Sequence, residues 1–267
     1  MPCRSISRIW EVFVRLLKFY QTSIGKKYVV AISGGGLFLF LVAHMLGNMW
    51  VYGGAEEIDS YSHHLRTFME DFFGYGGFLW VARIGLLVFL IAHVVTIILL
   101  AKQNRRAKPK YQHRHKSART LASMTMMISG PLILVYVVLH ILQFTTGTVQ
   151  PTSYEQGAVY ANLWNAFQVW WIALIYVVMM GFICLHLYHG IWSMFQSLGI
   201  NNQDRNDSLR LISTISAVVI FLGFSSVPTL IWSGALPAPE ATEATQQHVM
   251  VESEDLIAQT EGEHHEP

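Results

Sequence analysis

"LVAHMLGNMW", residues 41–50, closes an apolar run that begins near residue 28 and is long enough to cross a bilayer. His44 lies inside that run. An imidazole is costly to keep in hydrocarbon, so an ionisable side chain at membrane depth is by default a functional one, with a partner to be named. The partner of His44 therefore decides how the surrounding helices must be arranged.

The composition sets the class. Of 267 residues, 52% are hydrophobic and only 13% charged, against about 25% charged in a typical soluble domain. Mean hydropathy is +0.37. The chain reads as an all-α integral membrane protein. Its net charge of +1 conceals an uneven distribution. Six Lys and Arg residues precede the first long apolar run and eight crowd into 102–119, whereas 235–267 has eight acids and neither Lys nor Arg. The two cysteines, Cys3 and Cys184, fall before and inside the apolar segments, so no disulfide framework is expected. The start has no short apolar core followed by a small-residue cleavage site, and the chain is expected to keep it.

A bilayer core requires about 20 apolar helical residues. Five stretches meet that length, near 28–52, 77–101, 121–145, 165–195 and 209–234. The fourth is long enough to tilt or to project beyond the bilayer. The segment from Lys102 to Arg119 joins spans two and three without a single acid, and the positive-inside rule makes it cytoplasmic. The N-terminus then lies on the same side. The loop holding Glu56, Glu57, Asp59, Glu70 and Asp71 falls outside, as does the C-terminus. Three regions follow: residues 1–27, a cytoplasmic amphipathic segment; 28–234, the transmembrane domain; and 235–267, an acidic external tail too poor in large apolar residues to pack. Within the first region Arg4, Arg8, Arg15 and Lys18 occupy one side of a helix and Ile9, Val12, Leu16 and Phe19 the other, suiting a helix in the cytoplasmic interface or docked on the bundle.

Twelve histidines occur. Seven sit in loops or tail and read as solvated. His44, His93, His140, His186 and His189 are at membrane depth. Spans one and three run outward, with His44 and His140 about 16 and 19 residues past their starts, in the outer half. Spans two and four run inward, with His93 and His186 towards their cytoplasmic ends. At 1.5 Å of rise per residue the two layers are roughly 12–15 Å apart. In an up-down bundle helices one and three are diagonal, as are two and four. Each layer thus turns two imidazoles towards each other across the core, an arrangement that grips a flat macrocycle from both faces. Imidazole is a good ligand for iron. Two b-type haems, each with two histidine ligands, are the economical reading. With both axial positions filled, electron transfer is the remaining chemistry. His186 and His189, three residues apart, compete for one role, and spacing does not choose between them.

Other residues fall around these layers. Ser33 and Ser129 each lie 11 residues before a histidine, close to three turns, and share its face at the inner layer. They suit contacts to a haem edge or to the inner-layer histidines, or a bond to their own helix backbone. Arg83 is the one cation well within a span. It suits a haem propionate near the outer layer, or snorkelling to the interface.

These residues carry a resemblance. "GKKYVVAISGGGLFLFLVAHMLGN" (25–48), "DSYSHHL" (59–65), "LWVARIGLLVFLIAH" (79–93) and "HLYHGIWSMFQSLG" (186–199), in this order and spacing, resemble the membrane cytochrome b subunit of succinate dehydrogenase. More specifically, they resemble the single-subunit, five-helix, dihaem type (the cytochrome b558 family), related to the anchors of dihaem fumarate reductases. The likeness covers about residues 20–234. It implies a fold of four haem-binding helices in an up-down bundle plus one peripheral helix. It places the axial ligands on His44 and His140 for the outer haem, and on His93 and His186 for the inner one. It also implies a flavoprotein subunit that oxidises succinate, an iron–sulfur subunit docked on the cytoplasmic face of a bacterial inner membrane, and a quinone, menaquinone by family. The expected partners are those subunits, quinone and membrane lipid, with no nucleic acid. In related fumarate reductases a carboxylate linked to quinone stands near the outer end of span two. Simple spacing from His93 puts Arg66 there, which leaves Glu57, Glu70 and Asp71 as alternatives.

Two rival readings predict different outcomes. Another quinone-linked dehydrogenase or hydrogenase anchor shares the haem chemistry but not the partner. A haem-free transporter or scaffold would line a proton path with the histidines, yet no Asp or Glu lies within any span.

Overall fold

The computed structural model describes residues 3–106 and 121–239. Among these residues the protein is helical throughout its regular structure: α1 (Cys3–Gln21), α2 (Ser23–Asn48), α3 (Ala55–Thr67), α4 (Glu70–Phe73), α5 (Gly77–Arg106), α6 (Leu121–Phe144), α7 (Val159–Gln168), α8 (Trp170–Ser197) and α9 (Asn206–Trp232). Five helical stretches are long and apolar enough to span a membrane: Ser23–Gly53, Gly77–Arg106, Met126–Phe144, Trp170–Ser197 and Asn206–Trp232. The basic loop beyond Arg106 and the acidic tail beyond Pro239 lie outside the described residues.

Three boundaries differ from the sequence expectation. The first span starts at Ser23 rather than near 28, so the 1–27 segment divides at Thr22. There the Thr22 side chain accepts the Gly25 N–H at 2.9 Å, an N-cap that satisfies a donor left over at a helix start. Gly25 is required at this corner, because a Cβ on it would run into the Phe19 carbonyl. The second span continues to Arg106, five residues into the expected loop, since Lys102 to Arg106 are sound helix formers beside the last carbonyls. The long fourth span is broken: residues 165–168 belong to α7, and Val169 is extended (φ −78°, ψ 102°). Gln168 ties that corner down by donating to the Ile231 carbonyl at 3.1 Å.

The spans pack around α2 and α8. α2 contacts both α5 and α8, α6 packs on α8, and α9 lies along α8 with a smaller contact to α2. The square expected of four helices is therefore closed on three sides, while α5 and α6 have no comparable contact with each other among the described residues. Without a strong hydrophobic drive between helices in lipid, close approach depends on small residues. Gly36 lets the Phe89 ring of α5 lie where a Cβ would be 2.5 Å from it, and Gly223 does the same for Met45.

The two ends differ in charge. Lys26, Lys27, Lys102, Arg105 and Arg106 mark a basic end, and the α3–α4 loop marks an acidic end. At the acidic end α3 and α7 cap the spans. There Val51, Ile58, Tyr160, Phe167, Tyr176 and Ile231 form one apolar core. Tyr160 locks the cap twice, donating its N–H to Asp59 at 3.0 Å and its hydroxyl to the Pro237 carbonyl at 2.8 Å.

Candidate functional site

The spans bring histidines of different helices together in two places. Towards the acidic end, His44 of α2 and His140 of α6 face each other with ring centroids 5.9 Å apart and planes at 76°. Two nitrogens sharing one metal at about 2.0–2.1 Å each put their ring centroids roughly 6 Å apart, so this separation fits a shared metal centre. Phe40 stacks on His44 at 5.4 Å and Phe224 of α9 closes its other side at 5.6 Å. The fifth helix thus also helps wall this layer. Nearer the basic end, His186 lies within electrostatic range of both His93 and His189.

Hydrogen bonds fix which ring nitrogen is available. Ser33 is buried, and its hydroxyl donates to the Val29 carbonyl at 2.7 Å. Its single proton is then used, so at 3.4 Å from His93 Nδ1 it accepts. His93 is left with Nδ1 protonated and a lone pair on Nε2. Ser129, fully buried on α6, stands likewise between the Met126 carbonyl at 3.5 Å and His186 Nδ1 at 3.3 Å. Tyr176 donates to Gln143 Oε1 at 2.8 Å and therefore accepts from His140 Nδ1 at 3.4 Å. A ligating histidine commonly has its second nitrogen held in this way. Three of the four rings have that support.

His189 is placed differently. It packs edge-on to Trp192 at 6.1 Å, whereas His186 takes the Ser129 contact. The close backbone approach at His93 comes from Gly34, where a Cβ would be 3.1 Å from the ring.

The remaining expected residues separate into two groups. Ser33 and Ser129 reach the inner-layer histidines, one of the roles their spacing allowed. Arg83 is exposed, with its guanidinium over the Trp80 ring at 5.1 Å, a cation–π contact of an interface residue rather than a partner of either histidine pair. Glu57, Glu70 and Asp71 are all exposed.

Asp59 is the acid that the structure singles out and the sequence did not. It is half-buried, and burial pushes its carboxyl above the usual value of 3.8, against the backbone N–H groups of Tyr160 and Val159 and the Arg66 charge. The adjacent Ile58 belongs to the same core as Tyr176. Nothing in the local sequence distinguishes Asp59, because its burial depends on α7 folding back over α3.

Among the described residues no group of three or more His, Cys, Asp or Glu side chains could hold a bare metal ion. Facing imidazole pairs suit instead a metal that arrives with its own in-plane ligands, as in haem. Two buried polar atoms at this end also lack hydrogen-bond partners: Trp164 Nε1, packed on the core that includes Tyr176, and Ser225 Oγ, next to Phe224.

Residues 101–225, from the end of α5 into α9, match the succinate dehydrogenase/fumarate reductase transmembrane subunit family. Over these residues, just under half of its length, the chain resembles that family. The matched region contains one histidine of each layer, His140 and His186, together with Ser129. No curated protein and no solved structure gives a match. With five helices able to cross a membrane, the protein is a multi-pass membrane protein that is similar over this region to the membrane subunit of succinate dehydrogenase/fumarate reductase.

Proposed function

We propose that this chain is the dihaem cytochrome b anchor of its complex and links the iron–sulfur subunit to membrane quinone, with menaquinone the quinone favoured by resemblance. The observation that carries the reading is His44 facing His140 at 5.9 Å, with Nδ1 of His93, His140 and His186 each held by a hydroxyl. Haem bound at these pairs would supply one-electron transfer.

The chain's own residues hold and orient. His44 and His140 would hold the outer group, and His93 and His186 the inner one. Ser33, Ser129 and Tyr176 keep three of those rings in the tautomer whose Nε2 lone pair is free. The basic end faces the cytoplasm and the catalytic subunits, by the charge rule that governs orientation. Quinone chemistry takes up or releases protons with electrons, and a carboxyl that retains its proton above the ordinary range suits that exchange. Asp59 fills this description and is half-buried, whereas Glu57, Glu70 and Asp71 are exposed. Trp164 Nε1 offers a hydrogen-bond donor at the same end.

The test is haem content across single substitutions. His44→Ala and His140→Ala should each remove the same one of two haems and leave the other at least partly bound. His93→Ala and His186→Ala should remove the other. Loss of both haems or of neither across the series would contradict the two-layer arrangement.

A further inference from the structure

A line of hydrogen bonds leads from His140 to the acidic-end loop, and each link donates away from the ring. His140 Nδ1–H meets the Tyr176 oxygen at 3.4 Å, and the Tyr176 hydroxyl donates to Gln143 Oε1 at 2.8 Å. Gln143 Nε2 donates to Gln150 Oε1 at 3.3 Å, and Gln150 Nε2 to the Asn162 carbonyl at 3.1 Å. Asn162 in turn clamps Glu155, donating to its carbonyl at 2.6 Å and accepting its N–H at 3.1 Å.

A buried glutamine at membrane depth is expensive, and Gln143 is only 7% exposed. Packing does not call for it. The apolar contacts of this core come from Phe144, Phe167 and the Tyr176 ring, which Tyr136 and Phe144 meet edge-on. What Gln143 adds is direction. It takes the Tyr176 proton, so Tyr176 can only accept from His140. The inner layer has short serine supports that end on their own helix backbone or near it. Among the described residues His44 makes no hydrogen bond. His140 alone is connected through side chains to a surface loop.

We propose that Tyr176, backed by Gln143 and Gln150, is a positioning residue that fixes the His140 tautomer and sets the reduction potential of the group held by the His44–His140 pair. The inference rests on the dihaem reading above. An acceptor at Nδ1 raises the ring's basicity and favours the oxidised metal, so removing it should raise the potential of that group alone. Outer-shell partners of this kind typically change ligand behaviour by 10–100-fold. The expected effect is on the order of tenfold in the one-electron reduction equilibrium, about 59 mV.

The experiment is a potentiometric titration of the haem bands in the intact complex, with low-temperature electron paramagnetic resonance of the oxidised form. Tyr176→Phe removes one oxygen and keeps the packed ring. Gln143→Met keeps the volume and removes the acceptor, and it decides the matter if Tyr176→Phe does not retain both haems. Both should move the same transition upward and alter its resonance signal. Ser129→Ala should move the other transition. The proposal is overturned if neither relay variant moves a transition, or if Ser129→Ala moves the same one as they do. A wild-type complex without haem would instead refute the dihaem reading on which the relay depends.

Discussion

His44 was the first residue to require an explanation, and its geometry now gives one: a second imidazole at 5.9 Å, with aromatic rings on its two remaining sides. That pairing was legible from depth alone, because histidines on alternate helices had matching distances from the same membrane face. The serines were legible in part. Three helical turns put Ser33 and Ser129 at the inner layer, but only the packed structure gives the ring nitrogen each one meets. Asp59 was not legible, because it is half-buried by residues a hundred positions away in the chain. Asp59 allows a direct check. Its folded carboxyl lies above 3.8 because burial disfavours the ionised form. Its contribution to stability is therefore fully present below 3.8 and is lost as pH rises through the folded value. Asp59→Asn keeps an oxygen for the Tyr160 N–H and removes the ionisation. The variant should show a flatter dependence of thermal stability on pH above 3.8 than the parent, with melting followed between pH 4 and 7. An unchanged slope would mean that the burial of Asp59 has no energetic consequence.

At the scale of elements, hydropathy located all five spans but misplaced three ends. The errors have a common cause: apolar periodicity reports what can be buried, whereas helix ends are set by local hydrogen bonds. Thr22 caps α2 six residues before the apolar run begins, and the fourth span breaks at Val169, next to Gln168, whose side chain bonds the Ile231 carbonyl. The end of α7 was hidden for the same reason, since residues 165–168 read as the start of the fourth span. Capping energetics make the first case measurable. Thr22→Ala should cost about 1 kcal/mol and fray the start of α2, while Thr22→Ser should cost little. Thermal unfolding with hydrogen exchange over residues 23–28 would show it. Equal stability of the alanine and serine variants would remove the cap from the account.

For the whole molecule, the distribution of charge and the packing of helices point the same way. The basic end carries the short connections Tyr20 to Thr96 and Lys26 to Gln103, which tie α1 and α2 to α5. The acidic end carries a capped core with the polar relay inside it. Composition made the membrane class legible, and the positive-inside rule predicts that the basic end faces the cytoplasm. The order of packing was not legible, because an up-down square predicts four equal sides and the protein shows three. The orientation predicts that a cysteine placed at Glu70 is labelled by a membrane-impermeant reagent from the external face of intact cells, whereas one at Gln103 is not. The reverse pattern would invert the proposed electron path.

If two facing histidine pairs each hold a haem, a pyridine haemochrome assay with a reduced-minus-oxidised spectrum on the purified complex should find two protohaems per chain with sharp six-coordinate b-type bands. A complex containing no haem would contradict that reading, and would return His44 and its three counterparts to helix packing.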